Sequence, residues 1–237
     1  RFRNVTGVQT CALPICLPVT LTRDAELTLV MTYSGRLESQ AVDSESLQTS
    51  DSGQQAPPAM AEEPFMAPEP NFLLSNRSYW YPQNTVSDYA TASMRITVPP
   101  GYTCVASGDL GADNDVTLRD LLTSTVQGKA WVFRANEPLR YLALVVSKFV
   151  RIGEASVRVA NDSATAARDR VRVAVDANPR QLTRGRGLLV EAQDIMRFYA
   201  GVIGEAPYSA ATVALVEDEL PGGHSPGYFA EIGRAHV

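Results

Sequence analysis

One short loop near the end of the chain contains the residues whose types and spacing could do chemistry, the hexapeptide GGHSPG at 222–227. Glycine lets a backbone adopt positive φ angles or approach another backbone closely. The candidate functional residues are Gly222, Gly223, His224 and Ser225. The two glycines would give access to the backbone, and the imidazole and the hydroxyl are the groups that could react.

Most of the chemistry open to such a loop is disfavoured by its surroundings. A phosphate cradle would need the G-x-x-x-x-G-K-[ST] pattern and a helix N-terminus, and the sequence shows neither here. His224 and Ser225 are adjacent, which rarely brings a hydroxyl onto an imidazole, and no orienting acid is evident. Without further context, the loop is a Gly/Pro turn with an exposed histidine.

The composition excludes several classes of protein. The 237 residues include 21 Lys and Arg against 26 Asp and Glu, a formal net charge of −5, so a nucleic-acid partner is not expected. The longest apolar run, 141–146, is far shorter than the roughly 20 residues of a membrane span. Two histidines and three cysteines cannot build a Cys/His zinc module, so no metal site is expected within the chain.

A helix is predicted upstream of the loop. Leu188, Ala192, Ile195, Tyr199 and Val202 recur at spacings of four, three, four and three, which is typical of a helix with one apolar face.

The helix is predicted to stop at Gly204, because glycine favours a helix C-terminus, and Pro207 prevents it from resuming. A strand at 211–216 then leads into the loop. An α+β region therefore begins near residue 178.

The chain before residue 178 is predicted to be all β. Alternating or continuous apolar residues between turn signals favour strands at 26–33, 89–98, 102–106, 130–134, 141–149, 155–160 and 170–175. The last of these alternates valine with arginine, as in a strand with one buried and one wet face. Residues 37–70 are rich in Ser, Gln, Glu, Ala and Pro, which predicts a disordered insertion in a loop. The fold class is mainly β, an antiparallel sandwich-like N-terminal domain followed by the start of an α+β domain.

The two ends are interpreted as translated sequencing adaptor rather than native protein. If residues 10–15 are written with the codons ACG TGT GCT CTT CCG ATC, the reverse complement, GATCGGAAGAGCACACGT, would encode the end of the chain from the last base of a GAG codon for Glu231. Residues 1–16 and 231–237 are therefore predicted to be foreign and are excluded from the fold. The native part is expected to be a β-domain at 17–177 and the beginning of a second domain at 178–230.

Several stretches together resemble the gluzincin zinc aminopeptidases of the alanyl and puromycin-sensitive type. They occur in the family's order and cover nearly all of the native part. The resemblance rests on LTLVMTYSGRL at 27–37, WYP at 80–82, ASMRITVPPGY at 92–102, VASGDL at 105–110, PLRYLALVV at 138–146, FYAGVIGEAPY at 198–208, and the glycines at 222–223.

This resemblance implies a zinc-dependent peptidase whose metal ligands lie downstream of residue 230, in an H-E-x-x-H helix and a further Glu. The chain would then contain the family's N-terminal β-domain and the beginning of its catalytic domain. Peptides are the implied substrates, and the loop at 222–225 would bind them by strand addition. Taken alone, the chain would be an inactive fragment.

The loop departs from the family's pattern. His224 and Ser225 stand where the family has Met-Glu-Asn, so the carboxylate that holds the substrate's α-amine is missing at that position. The parent could use another carboxylate, prefer another N-terminus, act as an endopeptidase or be inactive. A non-catalytic β-sandwich binding module and a peptidase-fold scaffold without metal ligands are the alternatives.

Overall fold

The computed structural model describes residues 20, 22, 25–40, 67–83, 89–111, 128–159, 170–218 and 223–233. The chain divides into two compact units, Arg1–Arg36 and Leu37–Val237. Within the described ranges, no helix is long and apolar enough to cross a membrane.

The described residues of the first unit form no regular secondary structure, so the strand predicted at 26–33 is wrong. Leu27, Leu29, Val30 and Met31, whose apolar character suggested the strand, are exposed. A strand needs a neighbouring strand to pair its N–H and C=O groups, and the described part of this unit contains no second strand. The prediction therefore failed because sequence pattern alone cannot supply a pairing partner.

The second unit contains one long helix and ten strands among its described residues. They are β1 (Phe72–Leu74), β2 (Ala90–Val98), β3 (Thr103–Ala106), β4 (Asp109–Leu110), β5 (Lys129–Leu139), β6 (Leu144–Ser147), β7 (Val150–Arg158), β8 (Arg170–Ala177), α1 (Leu182–Ile203), β9 (Ala210–Leu215) and β10 (Phe229–Ile232).

These strands form three sheets. The first sheet has the order β1-β6-β3 and the second β2-β5-β4, and all their pairings are antiparallel. The third has the order β10-β9-β8-β7, in which only β7 and β8 are antiparallel. The predicted fold class, mainly antiparallel β followed by a helix-containing region, is confirmed.

The third sheet crosses the boundary predicted between the two domains at 177 and 178. Strands β7 and β8 precede that boundary, whereas β9 and β10 follow it. Helix α1 is the crossover that joins the parallel strands β8 and β9, as parallel pairing requires. The two predicted domains therefore share one sheet, and their separation as independent units stays a prediction.

Strand β8 follows its predicted alternation only in its first half. Val171, Val173 and Val175 are fully buried, as the pattern predicts, and Arg170 is exposed. Both faces are covered from Val173 onward, since Asp176 is only 6% exposed. The predicted wet face is therefore wrong for the end of the strand.

The strand predicted at 141–149 is shorter than expected, because β6 covers only Leu144–Ser147. Its first residues bond to side chains instead of a neighbouring strand. The Leu142 N–H donates to the Tyr81 hydroxyl at 3.0 Å, and the Ala143 N–H donates to Ser107 Oγ at 3.0 Å. These hydroxyls satisfy the backbone groups that a longer strand would have paired.

Both described ends of the predicted insertion at 37–70 are fixed to strands of the first sheet, β1 and β6. The Leu73 N–H donates to Ser39 Oγ at 3.1 Å, and the Gln40 N–H donates to the Leu73 carbonyl at 2.8 Å. At the other end, Ser147 Oγ donates to the Pro70 carbonyl at 2.8 Å. Residues 41–66 lie outside the described part, so the predicted disorder stays a prediction.

Helix α1 ends at Gly204 as predicted, with φ +89° and its N–H 2.8 Å from the Ala200 carbonyl. Its contact face differs from the predicted one. Small residues face the sheet: a Cβ on Gly185 would lie 2.9 Å from Ile152 Cγ1, and Ala200 is 4% exposed.

The predicted apolar face points largely away from the sheet. Ile195, Tyr199 and Val202 are exposed, and Phe198 and Ile203 beside them are also exposed. The helix thus has two apolar faces, and the one with small side chains packs on the sheet because it permits the closer approach. We call the group 195, 198, 199, 202 and 203 the outer apolar face.

The double substitution Phe198→Gln and Val202→Gln should reduce self-association without lowering the melting temperature, because exposed apolar groups drive association but add little packing. Size-exclusion chromatography with light scattering and thermal unfolding measure the two effects. Met196→Gln, on the half-buried side of the same helix, is the matched control and should cost roughly 1–2 kcal/mol. Equal melting temperatures for all three proteins would contradict this assignment of faces.

Candidate functional site

The loop that contains the candidate residues turns back onto β10, the end strand of the third sheet. Strand β10 pairs in parallel with β9 on its inner side. On its outer side, the His224 N–H donates to the Glu231 carbonyl at 2.9 Å, and the Glu231 N–H donates to the His224 carbonyl at 2.7 Å. This antiparallel bridge makes the loop backbone the outermost layer of the sheet.

Gly223 is required for this arrangement. Its φ is +71°, and a Cβ at this position would lie 2.6 Å from the Glu231 carbonyl oxygen. Any side chain would therefore collide with the strand that the loop pairs with. The predicted need for glycine to approach another backbone is confirmed here, and Gly222 lies outside the described residues.

The His224 side chain points toward the segment after β1. Its Nε2 lies 3.1 Å from Ser75 Oγ, and Ser75 Oγ donates its hydrogen to Asn76 Oδ1 at 3.0 Å. Because a hydroxyl has a single hydrogen, the tautomer that fits a Ser75 hydrogen donated to Asn76 has its proton on Nε2, from which Ser75 Oγ then accepts.

The surroundings of His224 disfavour its positively charged form. Burial lowers the pKa of His224 below its ordinary value of 6.5, and the positive charge of Arg77 lowers it further. Burial and the nearby arginine therefore both favour the neutral ring. The prediction that this histidine is exposed in a Gly/Pro turn is wrong, because its side chain is half-buried and lies within hydrogen-bond distance of Ser75.

Neither serine near the imidazole is suited to act as a nucleophile. Ser75 has no exposed surface, so no substrate can reach its hydroxyl. Ser225 Oγ lies 3.5 Å from the Phe229 carbonyl, a long and weak contact, and the imidazole is bonded to Ser75 instead. The structure agrees with the sequence argument that adjacent His and Ser do not form a catalytic pair.

Tyr141 lines the site beside the histidine, a role that the sequence analysis missed. Its ring centroid lies 6.3 Å from that of His224, at an interplanar angle of 38°. Burial raises the pKa of Tyr141 above its ordinary value. In the sequence, this tyrosine begins an apolar run and is indistinguishable from a core residue.

The second half of the loop is held by a tyrosine in an unusual backbone conformation. Tyr228 has φ +65°, directly after Gly227 with φ +98°. Its hydroxyl donates to Glu137 Oε2 and accepts from the Glu137 N–H, whose nitrogen is 3.2 Å away. Burial and the hydrogen bond to Glu137 raise the pKa of Tyr228 to about 12. No pattern in the sequence linked these two residues.

The bridge partner of His224 is a buried acid. Glu231 has no exposed surface, and its Oε1 accepts from Asn71 Nδ2 at 2.6 Å. Its Oε2 has no hydrogen-bond partner among the described residues. Burial, the largest cause, raises the pKa of Glu231 from 4.5 to about 7. The prediction that residue 231 is foreign to the protein stays a prediction.

Glu231 should make the protein less stable as the pH rises from about 4.5 to about 7, because the folded state binds this proton more tightly than the unfolded state does. The penalty reaches about 3 kcal/mol above that range. Chemical denaturation of the wild type and Glu231→Gln at several pH values measures it.

The difference in unfolding free energy between the two proteins should grow in favour of Glu231→Gln across this range. Glu191→Gln, on an exposed part of α1, is the control and should track the wild type. His224 acts in the opposite direction, since its lowered pKa costs stability as the pH falls below 6.5. A pH-independent difference would refute the burial of Glu231.

The described residues do not fit a zinc site. They contain no group of three or more His, Cys, Asp or Glu side chains placed to hold a metal. The Nε2 of His224 is within hydrogen-bond distance of Ser75 Oγ, and Cys104 is buried. Burial also raises the pKa of this thiol far above its ordinary value, which disfavours the thiolate that binds zinc.

Three solved structures illustrate what the chain is similar to. An M1 zinc metallopeptidase from Deinococcus radiodurans is 19% identical, with a TM-score of 0.44, and the aligned region covers 67% of this chain and 33% of that protein. A point mutant of that protein is 19% identical, with a TM-score of 0.43 and coverages of 62% and 31%.

A mutant two-domain M1 zinc metallopeptidase bound to L-arginine is 20% identical, with a TM-score of 0.44 and coverages of 66% and 33%. The chain therefore spans about a third of the length of these structures. No protein-family model and no curated protein matches the chain.

Proposed function

We propose that the chain is part of a zinc-dependent metallopeptidase of the aminopeptidase family, which hydrolyses peptide bonds near the N-termini of peptides. In this proposal the zinc ligands lie outside the chain, downstream of residue 230. The chain contributes the β-domain and the loop of Gly222, Gly223, His224 and Ser225, which lines the substrate groove.

The observation that carries the proposal is the position of the loop at the edge of the third sheet. In an antiparallel pair, the N–H and C=O of one residue point to its partner, and those of the residues on either side point away. His224 points both groups at Glu231, so the groups on the far side of its two planar trans peptides, the Gly223 carbonyl and the Ser225 N–H, point outward, and both residues are exposed. An extended peptide can add to such an edge as a further strand.

The sequence supports the same function independently. The stretches that resemble the gluzincin aminopeptidases occur in the same order, from residue 27 to the loop itself. The stretch at 138–146 leads into the site through Tyr141, whose ring neighbours His224. The sequence resemblance and the geometry of the loop therefore both support the same substrate-binding region.

Sequencing the source DNA beyond the present reading frame is the first test. An H-E-x-x-H motif should appear within roughly 50 codons after residue 230, followed by a further Glu. The longer protein should release the first residue from peptides, and a chelator should abolish this activity. A helix at that position without the ligands would indicate an inactive scaffold, and the absence of both would favour a binding module.

The chain by itself should neither hydrolyse peptides nor bind zinc stoichiometrically, because the described residues contain no ligand set. Metal analysis after dialysis and an aminoacyl-anilide assay check this.

In the longer protein, His224→Ala should lower kcat/KM by roughly tenfold, since the ring fixes the loop through Ser75. Ser163→Ala, far along the sequence from the loop, serves as the control. An unchanged kcat/KM for His224→Ala on all peptides would refute the role of the loop.

A further inference from the structure

A cavity of about 240 Å³ lies beside strand β3. This strand is the last of the first sheet in the order β1-β6-β3 and pairs with β6 on one side. Residues 103–105 of β3 form one wall of the cavity. Leu110 of β4 and Phe133 of β5 form the second wall, and Arg172 of β8 and Thr212 of β9 belong to the third. The cavity therefore lies where the three sheets meet.

The walls of this cavity are largely apolar. The apolar side chains that line it are Val105, Leu110, Trp131, Phe133 and Phe149. Three of the five are aromatic, and Val105, Phe133 and Phe149 are buried. An apolar cavity of about 150 Å³ stays dry and can bind benzene, so this larger one has room for a substituted aromatic ring.

The cavity opens to solvent beside an arginine, because Arg151 is the only exposed residue among those that line it. The guanidinium is held by Asp176. Its Nε donates to Oδ1 at 2.6 Å, and its Nη2 donates to Oδ2 at 3.0 Å. The remaining nitrogen, Nη1, donates to Glu154 Oε2 at 3.0 Å. All three nitrogens of this arginine thus have carboxylate partners within the protein.

The second arginine of the cavity has more donors than partners. Arg172 Nη2 donates to Asp109 Oδ1 at 3.3 Å, which is a long bond, and Asp109 also accepts from Ser209 Oγ. Among the side chains that the structure describes, Asp109 is the one hydrogen-bond partner of Arg172. A guanidinium carries five N–H donors, so Arg172 can donate to a further acceptor in the cavity.

The ionic groups around the cavity balance one another. Arg151 is paired with Asp176, and Arg172 is paired with Asp109. A charged ligand would lose its hydration in the cavity and would have to compete with these existing pairs. An uncharged ligand avoids that cost and can still accept a hydrogen bond from Arg172.

We propose that this cavity binds a small uncharged aromatic molecule with one hydrogen-bond acceptor, such as an aryl ketone of roughly ten non-hydrogen atoms. The ring packs against Phe133 and Phe149, and the oxygen accepts from Arg172. None of the residues that line the cavity belongs to the loop at 222–227. The site therefore goes beyond the proposed function and does not depend on it.

Titration of the full chain with acetophenone and with benzoate tests this proposal. Both molecules carry a planar substituent of the same size on a benzene ring, but only benzoate is charged. Two-dimensional NMR follows the amides of Cys104, Phe133 and Thr212. Acetophenone should shift these amides with a Kd of about 1 mM or below, and benzoate should bind at least about tenfold more weakly.

Two pairs of variants locate the ligand. Thr212→Phe fills the cavity with its own ring and should abolish binding, whereas Thr97→Phe, at an exposed position of β2, should leave binding intact. Arg172→Met keeps an apolar stem but removes the donors, so acetophenone should bind about fivefold more weakly. Arg158→Met, at an exposed position of β7, is the matched control and should bind like the wild type. Circular dichroism reports whether each variant is folded.

The proposal is overturned if acetophenone leaves these amides unchanged, or if benzoate binds as tightly as acetophenone or more tightly. Undiminished binding to folded Thr212→Phe would place the ligand elsewhere and overturn it as well. If Thr212→Phe does not fold, the comparison of Arg172→Met with Arg158→Met decides. Equal binding to these two variants would remove the hydrogen bond on which the site depends.

Discussion

The backbone bridge between His224 and Glu231 is the interaction on which the site depends. It places the loop at the outside of β10 and orients the outward groups of Gly223 and Ser225. Gly223 permits the bridge because no Cβ fits against the Glu231 carbonyl. The bridge uses only main-chain atoms of residue 231, so the geometry of the loop does not need a glutamate there.

The site combines elements from distant parts of the sequence. The segment after β1 holds the imidazole through Ser75, the turn before β6 supplies Tyr141, and the end of β5 supplies Glu137. The third sheet brings them together because β9 and β10 add to strands of the preceding β region. A loop with a single histidine thus gains polar neighbours that its own sequence does not contain.

The sequence predicted most strands, the end of α1 at Gly204 and the importance of the loop, because these depend on local pattern and glycine. It could not predict which face of α1 packs on the sheet, since both faces are apolar and the choice depends on Gly185 and Ala200 meeting Ile152 and its neighbours. Contacts such as Tyr228 with Glu137 join residues 91 positions apart and leave no local signal.

Amide hydrogen exchange at the loop, with and without trialanine amide, tests the central claim most directly. The account predicts that the His224 amide is protected in the free protein, while the Ser225 amide exchanges quickly and becomes protected when the peptide binds. A freely exchanging His224 amide, or a bound peptide that protects other residues and leaves the Ser225 amide unchanged, would contradict the edge geometry on which the assignment depends.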